Sequence, residues 1–192
     1  MDRETQKFWR QRRNEMLKRD RRARPTGGST VTKALIILLV LGWLVQNLIP
    51  GILAPLAGSA LSPAIFTILS TIMPGSLISL LFVGIFVWII GMSIEAVSRP
   101  WQYVVIFFGS GIVANMVIAH FGGAGSALAV FGLAGAYVYS MSHFNQRGAT
   151  QWALILLGIN VVLSGFQMAI LAGEVTAFVV GLALASLMHI GS

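Results

Sequence analysis

Few residues in this 192-residue chain have side chains that could carry out chemistry. The absence of cysteine excludes disulfides, thiolate metal sites and a cysteine nucleophile. The three histidines, which are His120, His143 and His189, lack the i, i+4 pairing of a two-histidine metal motif on a helix. The sequence also lacks a P-loop and a dinucleotide-binding fingerprint. We therefore expect no metal site and no cofactor.

Glu174 is the most informative acidic residue, because it stands in an otherwise apolar stretch. An ionisable group within a membrane segment is a candidate functional residue, able to bind a cation or to relay protons if it is buried. Alternatively, Glu174 begins a helix, where the helix dipole and interfacial water stabilise its charge. Glu95 and Arg99, four residues apart, are interpreted as a helix-end pair or as solvated anchors.

The elements that position these residues are predicted to be membrane helices. Hydrophobic residues make up 56% of the chain and charged residues 10%, against about 25% charged residues in soluble domains. This composition excludes a soluble globular protein. Residues 1–33 carry eleven of the thirteen Lys and Arg and four of the six Asp and Glu, whereas residues 34–192 carry two of each sign. The net charge of +7 therefore belongs to an N-terminal tail.

A helix that spans a bilayer needs about 20 apolar residues, and charges, prolines and glycines divide the neutral region into six such stretches. The predicted spans are Ala34–Ile49, Ser76–Ile94, Tyr103–His120, about Ser126–Met141, Trp152–Leu171 and Glu174–Ile190. Residues 51–75, interrupted by three prolines, are predicted to be a loop with short helices that lie on the membrane surface or dip into it. The predicted fold is all-α, with a cytoplasmic, helical tail over residues 1–30 and a six-helix membrane domain over residues 31–192.

The distribution of arginine predicts the orientation of this domain. Six spans place residues 95–101 and 142–151 on the same side as the basic tail, and each of these loops contains an arginine. The opposite loops, at residues 50–75, 121–125 and 172–173, contain no Lys or Arg. Both termini are therefore expected in the cytoplasm. Charged residues precede the first apolar run, so we expect no signal peptide and a multi-pass protein of a bacterial plasma membrane.

The N-terminal tail combines helix-forming residues with many basic side chains. Its candidate lipid-binding residues are Arg10, Arg12, Arg13, Lys18, Arg19, Arg21 and Arg22. Each basic residue near anionic lipid contributes about 1 kcal/mol to membrane binding, so anionic lipid is one expected partner. The tail could instead act only as a topology signal, or contact a ribosome or another polyanion. Nucleic acid is not an expected partner.

Small residues spaced four apart let membrane helices approach closely. Two spans carry such stripes, which are Gly132, Ala136 and Ser140 in the fourth and Ala177, Gly181 and Ala185 in the sixth. These spans are candidates for a tightly packed central pair. Uncharged polar residues in or near spans are predicted to form interhelical hydrogen bonds, and these are Asn47, Asn115, Asn160 and Gln167.

The second span, read from Pro74 to Glu95 with Gly91 four residues before Glu95, resembles a helix of the rhomboid intramembrane serine proteases. That family shows a His, a second His five residues later, an Asn four further on, an aromatic-rich stretch, a Gly and a Glu four after the Gly. The sequence from Pro74 to Glu95 fits this frame without gaps, with Gly91 and Glu95 at the structural Gly and Glu. Residues 129–136 resemble the run after the family's G-x-S-G motif, and residues 177–185 its sixth helix. The resemblance implies a six-helix bundle with a long outer first loop.

The same resemblance implies that the proteolytic residues are absent. A rhomboid uses a Ser nucleophile, a His base and hydrogen-bond donors for the oxyanion. Ala127 stands at the position of the nucleophile and Glu174 at that of the base, while Ser79 and Val83 stand at the oxyanion-binding positions. An alanine has no nucleophilic atom and a valine donates no hydrogen bond. The resemblance therefore implies a pseudoprotease that binds transmembrane clients or serves as an accessory subunit of a larger membrane complex.

Two other functions remain open from the sequence. Ser126 could be a displaced nucleophile of an active intramembrane serine protease, although this register rotates every later residue of the helix by about 100°. Alternatively, Glu174 could serve a small transporter or channel. The spans carry no polar stripe and the sequence shows no inverted repeat, which disfavours transport.

Overall fold

A computed structural model describes residues 29–49, 62–121, 127–143 and 168–190, together with residues 151, 155 and 158. The helices in these ranges are α1 (Thr30–Leu48), α2 (Ser62–Ile72), α3 (Leu77–Glu95), α4 (Pro100–Ala119), α5 (Ala127–His143) and α6 (Met168–Leu187), and the same ranges contain no strand. The chain divides into two units, Met1–Thr30 and Val31–Ser192, and every contact given below lies within the second. The predicted basic tail and its seven candidate lipid-binding residues lie outside the described residues.

Most of these helices are long and apolar enough to cross a membrane. By length and composition α1, α3, α4 and α6 can each span a bilayer, and α5 is apolar but shorter, at 17 residues. A 20-residue helix such as α4 is about 30 Å long, which matches the hydrocarbon core of a bilayer. The chain is therefore a helical membrane protein. Nearly all of the fifth predicted span lies outside the described residues.

Local polar contacts set where α3 and α4 begin. Ser76 precedes α3 in an extended conformation, and its hydroxyl accepts a hydrogen bond from the Ser79 N–H at 3.1 Å. Pro100 is the first residue of α4, where its lack of an N–H costs nothing because that group has no partner inside a helix. The Arg99 N–H donates to Gln102 Oε1 at 2.8 Å, which closes the first turn of α4.

The predicted boundary between the fifth and sixth spans is wrong. α6 runs without a break from Met168 to Leu187, so the predicted loop at residues 172–173 lies inside the helix and Glu174 does not begin it. The prediction assumed that the charge of Glu174 marks the membrane surface, but neighbouring helices bury this side chain completely. Gly173 does not end the helix either, because its missing side chain admits the side chains of α4 and α5. The other described helices differ from the predicted spans by only a few residues at each end.

α5 and α6 form the most extensive helix pair and run parallel to each other. Gly173, early in α6, packs against Leu128 at the start of α5, and Gly135, later in α5, lies against Leu182, later in α6. α4 is antiparallel to both, because its C-terminal end lies beside their N-terminal ends. One end of the bundle therefore holds the C-terminal end of α4 together with the first turns of α5 and α6.

Glycines let the backbones of α5 and α6 touch. A Cβ atom added to Gly181 would overlap the backbone carbonyl of Gly132, and one added to Gly135 would overlap the carbonyl of Phe178. Fully buried small residues flank these contacts, and they are Ala136, Ala177 and Ala185. Lipid supplies no hydrophobic driving force between helices, so close van der Waals contact of this kind holds such a pair together.

The short helix α2 lies in the segment where short helices are predicted, and it packs against α4. Its C-terminal end also approaches α1, since a Cβ atom added to Gly42 would overlap the Ile72 carbonyl. α2 is therefore part of the helix packing of this unit.

Replacing Gly181 with alanine is expected to lower the free energy of unfolding by about 1–3 kcal/mol, because the added methyl group must displace the backbone of Gly132. The matched control is Gly84→Ala in α3, where an added Cβ meets nothing within 4 Å. That change is expected to be neutral or slightly stabilising, because alanine has the higher helix propensity. Unfolding in mixed detergent and dodecyl sulfate micelles, followed by circular dichroism, measures both. Equal stability of the two variants would contradict the close contact.

Candidate functional site

Two clusters of buried polar residues lie about 18 Å apart along α4, because Tyr103 and Asn115 are twelve positions apart in this helix. The Glu95 clamp consists of Val31, Thr32, Glu95 and Tyr103. The Asn115 cluster consists of Thr67, Thr71 and Asn115. In lipid a buried polar group without a partner costs several kcal/mol, so the partners of these groups decide what each cluster does.

The Glu95 clamp joins α3 to the first turn of α1. The Glu95 carboxylate accepts hydrogen bonds from the backbone N–H groups of Val31 and Thr32, at 2.8 and 3.0 Å, and from the Thr32 hydroxyl at 2.6 Å. N–H groups in the first turn of a helix have no partner inside the helix, and a carboxylate there also interacts favourably with the helix dipole. One side chain of α3 thus caps α1. The interpretation of Glu95 as a solvated anchor is wrong, because the side chain is buried.

Gly91, one turn before Glu95, brings α4 into this clamp. A Cβ atom added to Gly91 would overlap the Tyr103 hydroxyl, which lies 3.5 Å from the Thr32 hydroxyl. Residues four apart lie on the same face of a helix. The missing side chain of Gly91 therefore leaves room for Tyr103 of α4 on the face of α3 from which Glu95 reaches α1. Packing of three helices therefore accounts for the Gly-x-x-x-Glu spacing.

The Asn115 cluster attaches α2 to α4. Asn115 Nδ2 donates to Thr71 Oγ1 at 3.2 Å, and the Thr71 hydroxyl donates to the Thr67 carbonyl at 3.0 Å. All three residues are buried. The predicted interhelical hydrogen bond is therefore confirmed for Asn115. The same prediction is wrong for the exposed Asn47, whose amide donates to the Trp43 carbonyl of its own helix, and Asn160 and Gln167 lie outside the described residues.

Glu174 lies nearly two turns inside α6 and has no exposed surface. The adjacent Gly173 faces the first turn of α5, where a Cβ added to it would lie 3.1 Å from Leu128 Cδ2. Glu174 is therefore in the interior of the bundle, at the end where α5 begins. Its interpretation as a helix-initiating residue in interfacial water is wrong. A fully buried carboxylate in a membrane helix is a candidate functional group.

Two of the positions that the rhomboid resemblance assigns to catalysis lie at this same end. α5 begins at Ala127, the nucleophile position, and the turn of α6 that carries Glu174, the base position, packs against the first turn of α5. Ser126, the displaced nucleophile of the alternative hypothesis, lies outside the described residues. The helix packing thus brings the base position close to the helix that begins at the nucleophile position.

The two oxyanion-binding positions lie near the N-terminal end of α3. α3 is antiparallel to α4, so its first turn lies at the same end of the bundle as the start of α5. Ser79 is half-buried there, and its N–H donates to the Ser76 hydroxyl. Val83, one turn further, is fully buried in the hydrophobic core that also contains Val130 of α5. The side chain at the second oxyanion-binding position is therefore apolar.

Sequence reasoning did not identify Thr32, Thr71 and Tyr103 as partners in these clusters. Threonine and tyrosine are common in membrane helices, and their hydroxyls bond equally well to a carbonyl of the same helix. Only the three-dimensional neighbours distinguish the two cases. The one local signal is the place of Thr32 in the first turn of α1, where backbone donors need an acceptor.

The described residues include no group of three or more His, Asp or Glu side chains that could hold a metal ion. The sequence matches no family model and no curated protein. The function is therefore inferred from the residues and their geometry.

Replacing Glu95 with glutamine is expected to lower the free energy of unfolding by about 2 kcal/mol, because charge-assisted hydrogen bonds to α1 are lost. Thr32→Val is expected to cost about 1 kcal/mol, and the double variant less than the sum, because both changes act on one hydrogen-bonded group. The control is Ser93→Ala, whose hydroxyl bonds within its own helix. Strictly additive losses in detergent unfolding would show that Glu95 and Thr32 do not interact.

Proposed function

We propose that this chain is a rhomboid-like pseudoprotease, which binds the transmembrane segments of client proteins or acts as an accessory subunit of a membrane complex. The observation that carries the proposal is the burial of Glu174 beside the first turn of α5, at the position of the histidine base in rhomboids. The residue at the nucleophile position, Ala127, has no hydroxyl for a base to activate. The residue at the nucleophile position therefore offers no hydroxyl to a carboxylate at this point.

The oxyanion side of the site also supports a loss of hydrolysis. Acyl transfer needs hydrogen-bond donors aimed at the oxygen that becomes negative in the transition state. Val83 is fully buried and has no such donor, and the N–H of Ser79 is used to cap α3. The nucleophile, the base and the side-chain donor at the Val83 position are thus replaced, while Ser79 keeps only a hydroxyl where the family has histidine, so restoring one of them would not restore hydrolysis.

The helix contacts of the bundle support a binding function. Glu95 and Gly91 hold α1, α3 and α4 together, and Gly132 and Gly181 hold α5 against α6. These contacts maintain a defined membrane surface without contributing to catalysis. Such a surface can bind the helix of another membrane protein through close packing of side chains.

We also propose a six-span topology with both termini in the cytoplasm of a bacterium and the domain in its plasma membrane. The parallel arrangement of α5 and α6 supports one further crossing between them, because the chain must return across the membrane before it can enter α6 in the same direction as α5. Residues 144–167 are long enough to supply it. The arginine of the turn between α3 and α4 supports the cytoplasmic assignment of that end.

The proposal is tested with the full chain and a fluorescent single-span model substrate in the same proteoliposomes. Energy transfer between the two proteins measures association, and gel analysis of the substrate measures cleavage. We expect association without cleavage, and no labelling by a fluorophosphonate probe. The Gly84→Ala variant serves as a folded control, because nothing lies within 4 Å of its added Cβ.

Cleavage that Ser126→Ala abolishes would overturn the proposal in favour of an active protease with a displaced nucleophile. Absence of association with any of several single-span segments would remove the client-binding function. The accessory-subunit function is then tested by purification in a gentle detergent, where a stoichiometric membrane partner is expected.

Transport through Glu174 is a second candidate function, favoured by the complete burial of this acid within α6. The pseudoprotease proposal predicts that Glu174→Gln leaves proton and cation flux into liposomes unchanged and preserves client association. Wild-type flux that disappears in Glu174→Gln would favour transport. Asn115→Leu is the matched control, because it removes a different buried polar group at the same end of the bundle.

A further inference from the structure

A polar groove of about 490 Å³ lies at the end of the bundle that holds the Glu95 clamp. The turn between α3 and α4 forms one wall, and the turn that follows α6 forms the other. Gln102 ties the walls together, because its Nε2 donates to the Met188 carbonyl at 3.1 Å and its Oε1 accepts from the Arg99 N–H at 2.8 Å. Hydrogen bonds of Gln102 therefore hold the two walls of the groove in place.

His189 lines this groove in an unusual backbone conformation. Its φ of 50° lies in the left-handed region, which residues other than glycine rarely adopt. The His189 N–H donates to the Ser186 carbonyl at 3.2 Å, and the Ile190 N–H donates to the Ala185 carbonyl at 3.1 Å. This is the Schellman pattern for a helix end, in which glycine is the usual residue. The helix end thus holds an imidazole at the groove at a conformational cost that glycine would avoid.

The side chains of the groove favour an anion with several oxygen atoms. Arg99 is exposed and lines the groove, and no residue of the lining is acidic. The Ser98 hydroxyl, which also lines the groove, donates to the Ile94 carbonyl at 2.8 Å. The closest acid along the chain, Glu95, directs its carboxylate to the N–H groups of α1. A guanidinium binds phosphate oxygens through two parallel hydrogen bonds. His189 Nδ1 lies 3.2 Å from the Leu187 carbonyl, and in the charged form of the ring Nε2 also carries a proton that can be donated to a phosphate.

The groove lies at the depth of lipid headgroups. Because α4 is as long as the hydrocarbon core is thick, Arg99 at its start lies at the membrane surface. Trp101, one of the residues typical of the membrane interface, is 54% exposed beside it. Val105, one turn after Gln102 on α4, and Leu187, the residue before Met188, are exposed apolar residues. A molecule with a phosphate and hydrocarbon chains matches both surfaces.

We propose that this groove binds the phosphodiester headgroup of a membrane phospholipid, with Arg99 as the main phosphate contact and His189 as the second. The acyl chains lie along the exposed apolar residues of α4 and α6. Basic pockets between membrane helices bind anionic headgroups in the same way. The site consists of residues of the turns at the ends of α3 and α6 and is independent of whether the chain binds clients.

The test uses the full-length protein in detergent, with native mass spectrometry to count bound phosphatidylglycerol during a titration. We expect one lipid that resists delipidation in the wild type, and about fivefold weaker binding of that lipid in Arg99→Gln. The matched control is Lys33→Gln, which removes an exposed cation near the start of α1 that does not line the groove. The basic tail is the same in all variants, so the lipid that it binds does not affect the difference.

His189→Gly separates binding from folding. Glycine suits the left-handed conformation, so this variant is expected to fold at least as stably as the wild type and to bind phosphatidylglycerol more weakly. Inorganic phosphate, titrated as a competitor, distinguishes a lipid site from a site for soluble phosphate. Displacement of the lipid by millimolar phosphate, unchanged binding in Arg99→Gln, or an equal loss in Lys33→Gln would each overturn the proposal.

Discussion

Lipid surrounds apolar side chains as favourably as other helices do, so this bundle depends on how closely its helix backbones approach. The contact between Gly132 and Gly181 is the closest of these approaches among the described helices, and it sets the register of α5 against α6. α4 packs against both members of this pair. The position of Glu174 follows from that register, because the turn of α6 that carries it lies against the first turn of α5.

Buried polar groups join helices near both ends of the bundle. At one end the Glu95 carboxylate caps α1, and the Tyr103 hydroxyl of α4 lies 3.5 Å from the Thr32 hydroxyl that donates to this carboxylate, so three helices meet there. Towards the other end Asn115 holds α2 against α4. In each case a polar side chain satisfies groups that lipid could not, and the hydrogen bond specifies which helices are neighbours. Structural roles therefore account for Glu95 and Asn115 without any catalytic function.

Glu174 differs from these residues, because it is fully buried within α6 and, in the proposed rhomboid-like arrangement, stands at the position of the base. In the proposed pseudoprotease, the residues that hold the helices together differ from those at the catalytic positions, so the bundle persists while the latter are replaced. The two proposed binding activities use different parts of the protein: the lipid-facing helix surfaces for a transmembrane client, and the groove at Arg99 and His189 for a headgroup.

The sequence by itself determined that this is a helical membrane protein, approximately where α1, α3, α4 and α5 lie, and which small residues could bring helices together. These properties follow from hydropathy, from proline and glycine positions and from four-residue spacing, all of which are local along the chain. The sequence could not determine the start of α6, because the charge of Glu174 marks a membrane surface only if no neighbouring helix covers it. The partners of Glu95, the tyrosine beside Gly91 and the groove at His189 depended on contacts between residues distant in sequence. Only the tertiary structure decided these features, since burial and hydrogen bonding are properties of neighbours in space.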